Sequence, residues 1–191
     1  MKPVKPESLI LNILKAALCE TVQDRNLKFV APSRYVYGGG APYEAAMQTW
    51  QERMFAYELY HQLRLIWDKD PKLADHSLIH ADISKGYQKI KDFDYMPDLL
   101  FHLPQPGQNC AVLEIKLAKR SPDTIRCDLK KLVRFVREME YEDAIEVLIG
   151  NEDEFKHLKD VFVDQIGIPI HLFYVFLDKR RIEPSIIQFD R

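Results

Sequence analysis

Two stretches in the C-terminal half constrain the fold most. Ala144 to Ile149 and Ile168 to Leu177 are nearly continuous apolar runs, the pattern of strands covered on both faces, as in a sheet with helices packed on each side. A sheet with one wet face would alternate apolar with polar residues instead. Ahead of the first run, Ile125, Leu129, Leu132, Val133, Val136 and Met139 recur at helical spacing over residues 124–140, which predicts an amphipathic helix. Residues 152–162 are predicted to form a further helix and residues 170–177 a strand.

The N-terminal half supplies the other layer. Leu9, Ile10, Ile13, Leu14, Ala17 and Leu18 predict a helix over residues 7–22, and Phe55, Leu59, Leu63 and Ile66 one over residues 43–67. Between them, residues 29–42 carry two prolines and Gly38-Gly39-Gly40 and read as a loop, without the strand and lysine of a phosphate-binding loop. Residues 78–83 are a short predicted strand. Residues 96–103 and 110–117 are two more, joined by a turn over 104–109 to make a hairpin. Helix, strand, hairpin, helix, strand, helix, strand is an α/β order with a mixed central sheet flanked by helices. One globular unit over 43–191 is expected, with the N-terminal helix and Gly-rich loop of 1–42 packing on it.

Side chains alternate along the hairpin, so Glu114 and Lys116 share a face with Val112, while Leu113, Ile115 and Leu117 share the other. Two acids and a lysine on a central hairpin would be desolvated in a doubly covered sheet, and need a cation or a phosphate beside them. Pro97-Asp98, fifteen intervening residues and Glu114-Ile115-Lys116 together resemble the signature of the PD-(D/E)XK, or restriction-endonuclease-like, nuclease superfamily. That resemblance implies a core of αβββαβ order with an extra N-terminal helix here. It also implies Mg2+ (or Mn2+) and hydrolysis of phosphodiester bonds in nucleic acid, DNA first, in a defence or repair setting.

Residue by residue, the resemblance implies a metal held by Asp98, Glu114 and the carbonyl of Ile115, with Lys116 completing the catalytic core. A further carboxylate is expected from the first core helix. Glu58, beside the polar stripe of His61 and Gln62, is preferred there to Glu52, and an ordinary surface glutamate fits either position equally well. Lys119, Lys131 and Gln62 are the expected substrate contacts. Asp128 and Lys131 are expected near the rim, because Leu129 and Leu132 point inward; the segment departs from the family's glutamine-and-tyrosine version of that helix. Asp82 and Lys85 are further candidates for the rim.

Composition narrows the setting. A hydrophobic content of 47% and 29% charged residues exclude a disordered chain, and a net charge of −2 excludes a polyanion-binding surface spread over the whole molecule. A local basic groove is still available in Lys116, Lys119, Arg120 and Arg126, then Lys130, Lys131, Arg134 and Arg137. Cys19, Cys110 and Cys127 are scattered and fit neither a zinc site nor a disulfide framework, so a cytoplasmic protein is expected. The apolar stretch near the N-terminus is broken by Asn12 and Lys15, too polar for a leader or membrane anchor, and the mature protein is expected to be the whole chain. The alternative function is a catalytically inactive relative of the same fold, a nucleic-acid-binding or assembly subunit. A homodimer pairing through residues 170–177, or a partner protein supplying specificity, fits either function.

Overall fold

The computed structural model describes residues 9–23, 43–70, 78–81, 95–102, 109–162 and 167–189. The expected hairpin turn, the Gly-rich loop, Asp82 and Lys85 lie outside them. The elements are α1 (Leu9–Gln23), α2 (Tyr43–Trp67), β1 (Leu78–Ala81), β2 (Leu99–His102), β3 (Asn109–Leu117), α3 (Pro122–Met139), β4 (Asp143–Gly150), α4 (Glu152–Phe155) with a 3-10 helix (Lys156–Phe162), β5 (Ile168–Phe176) and β6 (Arg181–Phe189).

The strands form one six-stranded sheet in the order β1-β2-β3-β4-β5-β6. β1, β2 and β3 are an antiparallel meander, β3, β4 and β5 run parallel, and β6 returns antiparallel. A mixed sheet follows because each parallel step is bridged by helix, whereas neighbouring antiparallel strands need only a turn. Each face has its own core. Leu14 and Leu18 of α1 and Phe55, Leu59 and Leu63 of α2 pack on Leu113, Ile115, Ile145, Val147 and Phe173. Leu129, Leu132 and Phe135 of α3 pack on Val112, Leu148 and Leu172 across the sheet. Alternation along β3 and β4 therefore assigns Glu114, Lys116 and Glu146 to the α3 face. Ser121 caps α3, its Oγ accepting the Thr124 N–H at 3.3 Å, and Pro122 presets the first turn.

Two expectations change. Residues 156–162 wind as a 3-10 helix, so only Glu152–Phe155 is α-helical. The strand over 168–176 has β4 on one edge and β6 on the other, and residues 170–176 are paired on both sides, so the expected dimer pairing through residues 170–177 has no open strand edge there. Among the described residues no helix is long and apolar enough to cross a membrane.

Candidate functional site

The site lies where β3 outruns β2. Pairing of these strands ends at Leu99 opposite Leu113, but β3 continues to Leu117. The N–H groups of Ile115 and Leu117 thus face an opening where β2 has stopped, and buried donors need acceptors. Two carboxylates supply them: Asp98 Oδ2 accepts from Ile115 N at 2.7 Å, and Glu52 Oε1 accepts from Leu117 N at 3.0 Å. A residue on an extended strand points its N–H and C=O to the same side, so the Ile115 carbonyl opens between the same two carboxylates. Glu52, Arg53, Ala56 and Tyr57 of α2, Ala81 of β1, and Asp98, Leu99, Ile115 and Lys116 line a cavity of about 230 Å³ there.

One residue along in the register, Asp98 comes beside Glu114. Glu114 is 4% exposed and its Oε1 has no hydrogen-bond partner. Burial, then the Asp98 and Asp128 carboxylates, push its carboxyl well above the ordinary value. Directly across the parallel ladder stands Glu146, fully buried, with neither carboxylate oxygen partnered. Burial and then Asp128 and Glu114 raise it as well. Asp128 closes the group from α3 and is 2% exposed. Its Oδ1 lies 2.6 Å from Lys131 Nζ and its Oδ2 3.4 Å from Lys116 Nζ. Burial works against the Lys116 charge, but Asp128, Glu52, Glu114 and Asp98 outweigh it and raise the ammonium's pKa. Four carboxyl groups and two lysines thus share a poorly hydrated place, where Glu114 and Glu146 favour the protonated form.

Asp98, Ile115 and Lys116 therefore line the cavity, Glu114 and Lys131 adjoin them through the buried acids on the α3 side without lining it, and three other expected residues join neither group. Glu58 accepts a 2.6 Å hydrogen bond from Gln62 Nε2 on the next turn of α2, and neither side chain lines the cavity. The helix carboxylate at the site is Glu52, which also meets Arg120 Nε at 3.3 Å. Six positions of helix rotate a side chain by about 240°, so the two glutamates cannot share a face. Lys119 is exposed in the turn after β3, outside the cavity. Asp128 is not a rim residue but a buried one. Its place three after Ile125 and four before Leu132 puts it on the apolar stripe, a signal present in the sequence. Glu146 carries a signal of the same kind, as the one carboxylate inside the apolar run Ala144 to Ile149. Comparison with known protein families, characterised proteins and solved structures gives no match.

The two helix glutamates give a direct contrast. Glu52→Gln is expected to lower any activity of the site by about tenfold or more, since it weakens both the Leu117 contact and the Arg120 pair. Glu58→Gln, still able to bond Gln62, should leave activity within about twofold. Equal losses in a side-by-side assay would remove Glu52 from the site.

Proposed function

We propose that the protein is a divalent-metal-dependent nuclease of PD-(D/E)XK type, hydrolysing phosphodiester bonds in nucleic acid, with DNA the first substrate to test. The observation that supports this most is the meeting of Asp98, the Ile115 backbone and Lys116 at one cavity, backed by the buried, unpartnered Glu114 Oε1. The order of elements agrees with it. Helix α2, the meander β1-β2-β3, helix α3 and the parallel strand β4 follow the αβββαβ order that the resemblance implies.

The residues suit magnesium or manganese. Hard cations take oxygen ligands, and magnesium is commonly held by one or two carboxylates while keeping several waters. Asp98, Glu114 and the Ile115 carbonyl would hold the ion, and the orphaned Glu114 Oε1 is the kind of buried acceptor that a cation satisfies. Among the described residues no group of three or more His, Cys, Asp or Glu side chains is arranged to hold a metal ion; two carboxylates and a carbonyl do not require a third. When bound, such an ion acidifies water and offsets charge on the phosphate.

The chain's own groups do the rest. Asp98 is fixed by the Ile115 N–H, so its carboxylate is positioned before substrate arrives. Lys116, charged and held by Asp128 of α3, also lines the cavity, and its compact ammonium would orient the attacking water or offset charge gathering on the phosphate oxygens. Lys131 shares the Asp128 carboxylate with Lys116 and so keeps part of its charge available for a substrate phosphate. The test is cleavage of labelled single- and double-stranded DNA and RNA with magnesium or manganese. Cleavage that disappears with chelator and in Lys116→Ala is expected. Wild-type protein that leaves every substrate intact, while Asp98→Ala makes no difference to manganese binding, would return the chain to the non-catalytic alternative.

A further inference from the structure

The solvent-facing wall of the cavity belongs to α2. Arg53 and Tyr57 both line it, together with Asp98, Ile115 and Lys116 on the floor. They stand four positions apart, so they project from one helix face with about 6 Å of axial rise between them. Glu52, next to Arg53 in sequence, turns inward to Leu117 and Arg120, while Arg53 stays exposed. Tyr57 leaves 59% of its surface in solvent and belongs to neither core. A lone exposed tyrosine says little. One that shares the mouth of an acid-and-lysine cavity with an exposed arginine presents two groups of complementary use to a nucleotide: a flat apolar ring for a base and a planar cation for a phosphate.

We propose that Arg53 and Tyr57 receive a nucleotide next to the scissile phosphate, the Tyr57 ring stacking on its base and the Arg53 guanidinium on the adjoining phosphate, so that the site takes single-stranded nucleic acid in preference to intact duplex. The inference rests on the nuclease reading of this same cavity. Base faces inside a duplex are covered by their neighbours, and a protein ring reaches them only after unstacking. A single strand offers those faces without that step, and aromatic stacking tolerates every base. The arginine also works on the approach of the substrate. Glu52 and Asp98 repel a phosphate from the floor, and a cation on the wall counters that repulsion.

The test uses the full chain carrying Lys116→Ala, with magnesium present, and an oligonucleotide containing the fluorescent base 2-aminopurine, as single strand and as duplex. Anisotropy is expected to show the single strand bound at least about tenfold more tightly, with the 2-aminopurine emission quenched on binding. Adding Tyr57→Ala should weaken single-strand binding by about tenfold and remove the quench, whereas Tyr57→Phe, which keeps the ring, should change affinity by less than about twofold. Adding Arg53→Ala should weaken binding and lower the slope of log affinity against log salt by about one. Equal affinity for strand and duplex, or a Tyr57→Ala protein that binds and quenches normally, overturns the inference. The underlying reading is judged separately by wild-type cleavage. Cleavage without dependence on Tyr57 sinks only the stacking wall, and a Tyr57-dependent strand preference without any cleavage sinks only the nuclease.

Discussion

Asp98→Asn is expected to lower metal-dependent cleavage by at least about a hundredfold while leaving the fold intact. The asparagine is the informative choice because Asp98 has two roles. Its Oδ2 accepts the Ile115 N–H at 2.7 Å, and an asparagine oxygen can accept the same bond, so the start of β2 stays tied to β3. The charge is what disappears, and with it one of the two carboxylates proposed to hold the ion. Asp98→Ala would confuse the two effects, since an orphaned N–H there costs about 1–3 kcal/mol on its own. Single-turnover cleavage rates, manganese affinity by calorimetry and a thermal melt together separate the outcomes. Loss of activity with weakened manganese binding and an unchanged melt is the expected set. Full activity in Asp98→Asn would mean that the cavity at the end of β2 is not where the chemistry happens.

The features readable from the sequence are those governed by local period. Helix α2 spans Tyr43–Trp67, as the spacing of Phe55, Leu59 and Leu63 requires, and the hairpin strands take the faces that alternation assigns them. β6 escapes a sequence reading because its first half, Arg181-Ile182-Glu183-Pro184-Ser185, looks like a polar loop. Proline and charge are tolerable there because β6 is an edge strand, with only β5 beside it. The turn into it is hidden too: Arg180, not glycine, takes the positive φ of 49°, so no turn signal marks the position. At the site, the choice between Glu52 and Glu58 depends on which turn of α2 lies over the end of β3. That is a matter of docking between elements, and helical period alone leaves it open. The burial of Asp128 and Glu146 is legible as a polar residue on an apolar stripe, but its meaning is not. Only the register that sets Glu114 opposite Glu146 reveals that these acids face one another.

Glu146 gives the largest expected effect on stability. Glu146→Met, close in volume, should raise unfolding free energy by about 2 kcal/mol at neutral pH, because it removes an unpartnered polar group from a fully covered strand. For a chain of this size that corresponds to a Tm higher by roughly 4–8 °C. The pH dependence has a definite sign. Burial raises the Glu146 carboxyl far above its ordinary value near 4.5, so the folded state holds a proton that the unfolded chain releases. Stability of the wild type therefore falls as pH rises from about the unfolded pKa toward the raised folded one, and levels off beyond it. Glu114, raised in the same direction, keeps part of this slope in the variant, so the Met gain should be smaller at pH 5 than at pH 8 without the slope vanishing. Urea melts at the two pH values measure both quantities. A carboxylate retained at such cost, one strand away from Glu114, is expected where function opposes stability; the stabilised variant should accordingly lose cleavage or bind manganese differently. If Glu146→Met instead unfolds more easily at pH 8, Glu146 has a partner on which the fold depends and is not an unpartnered group.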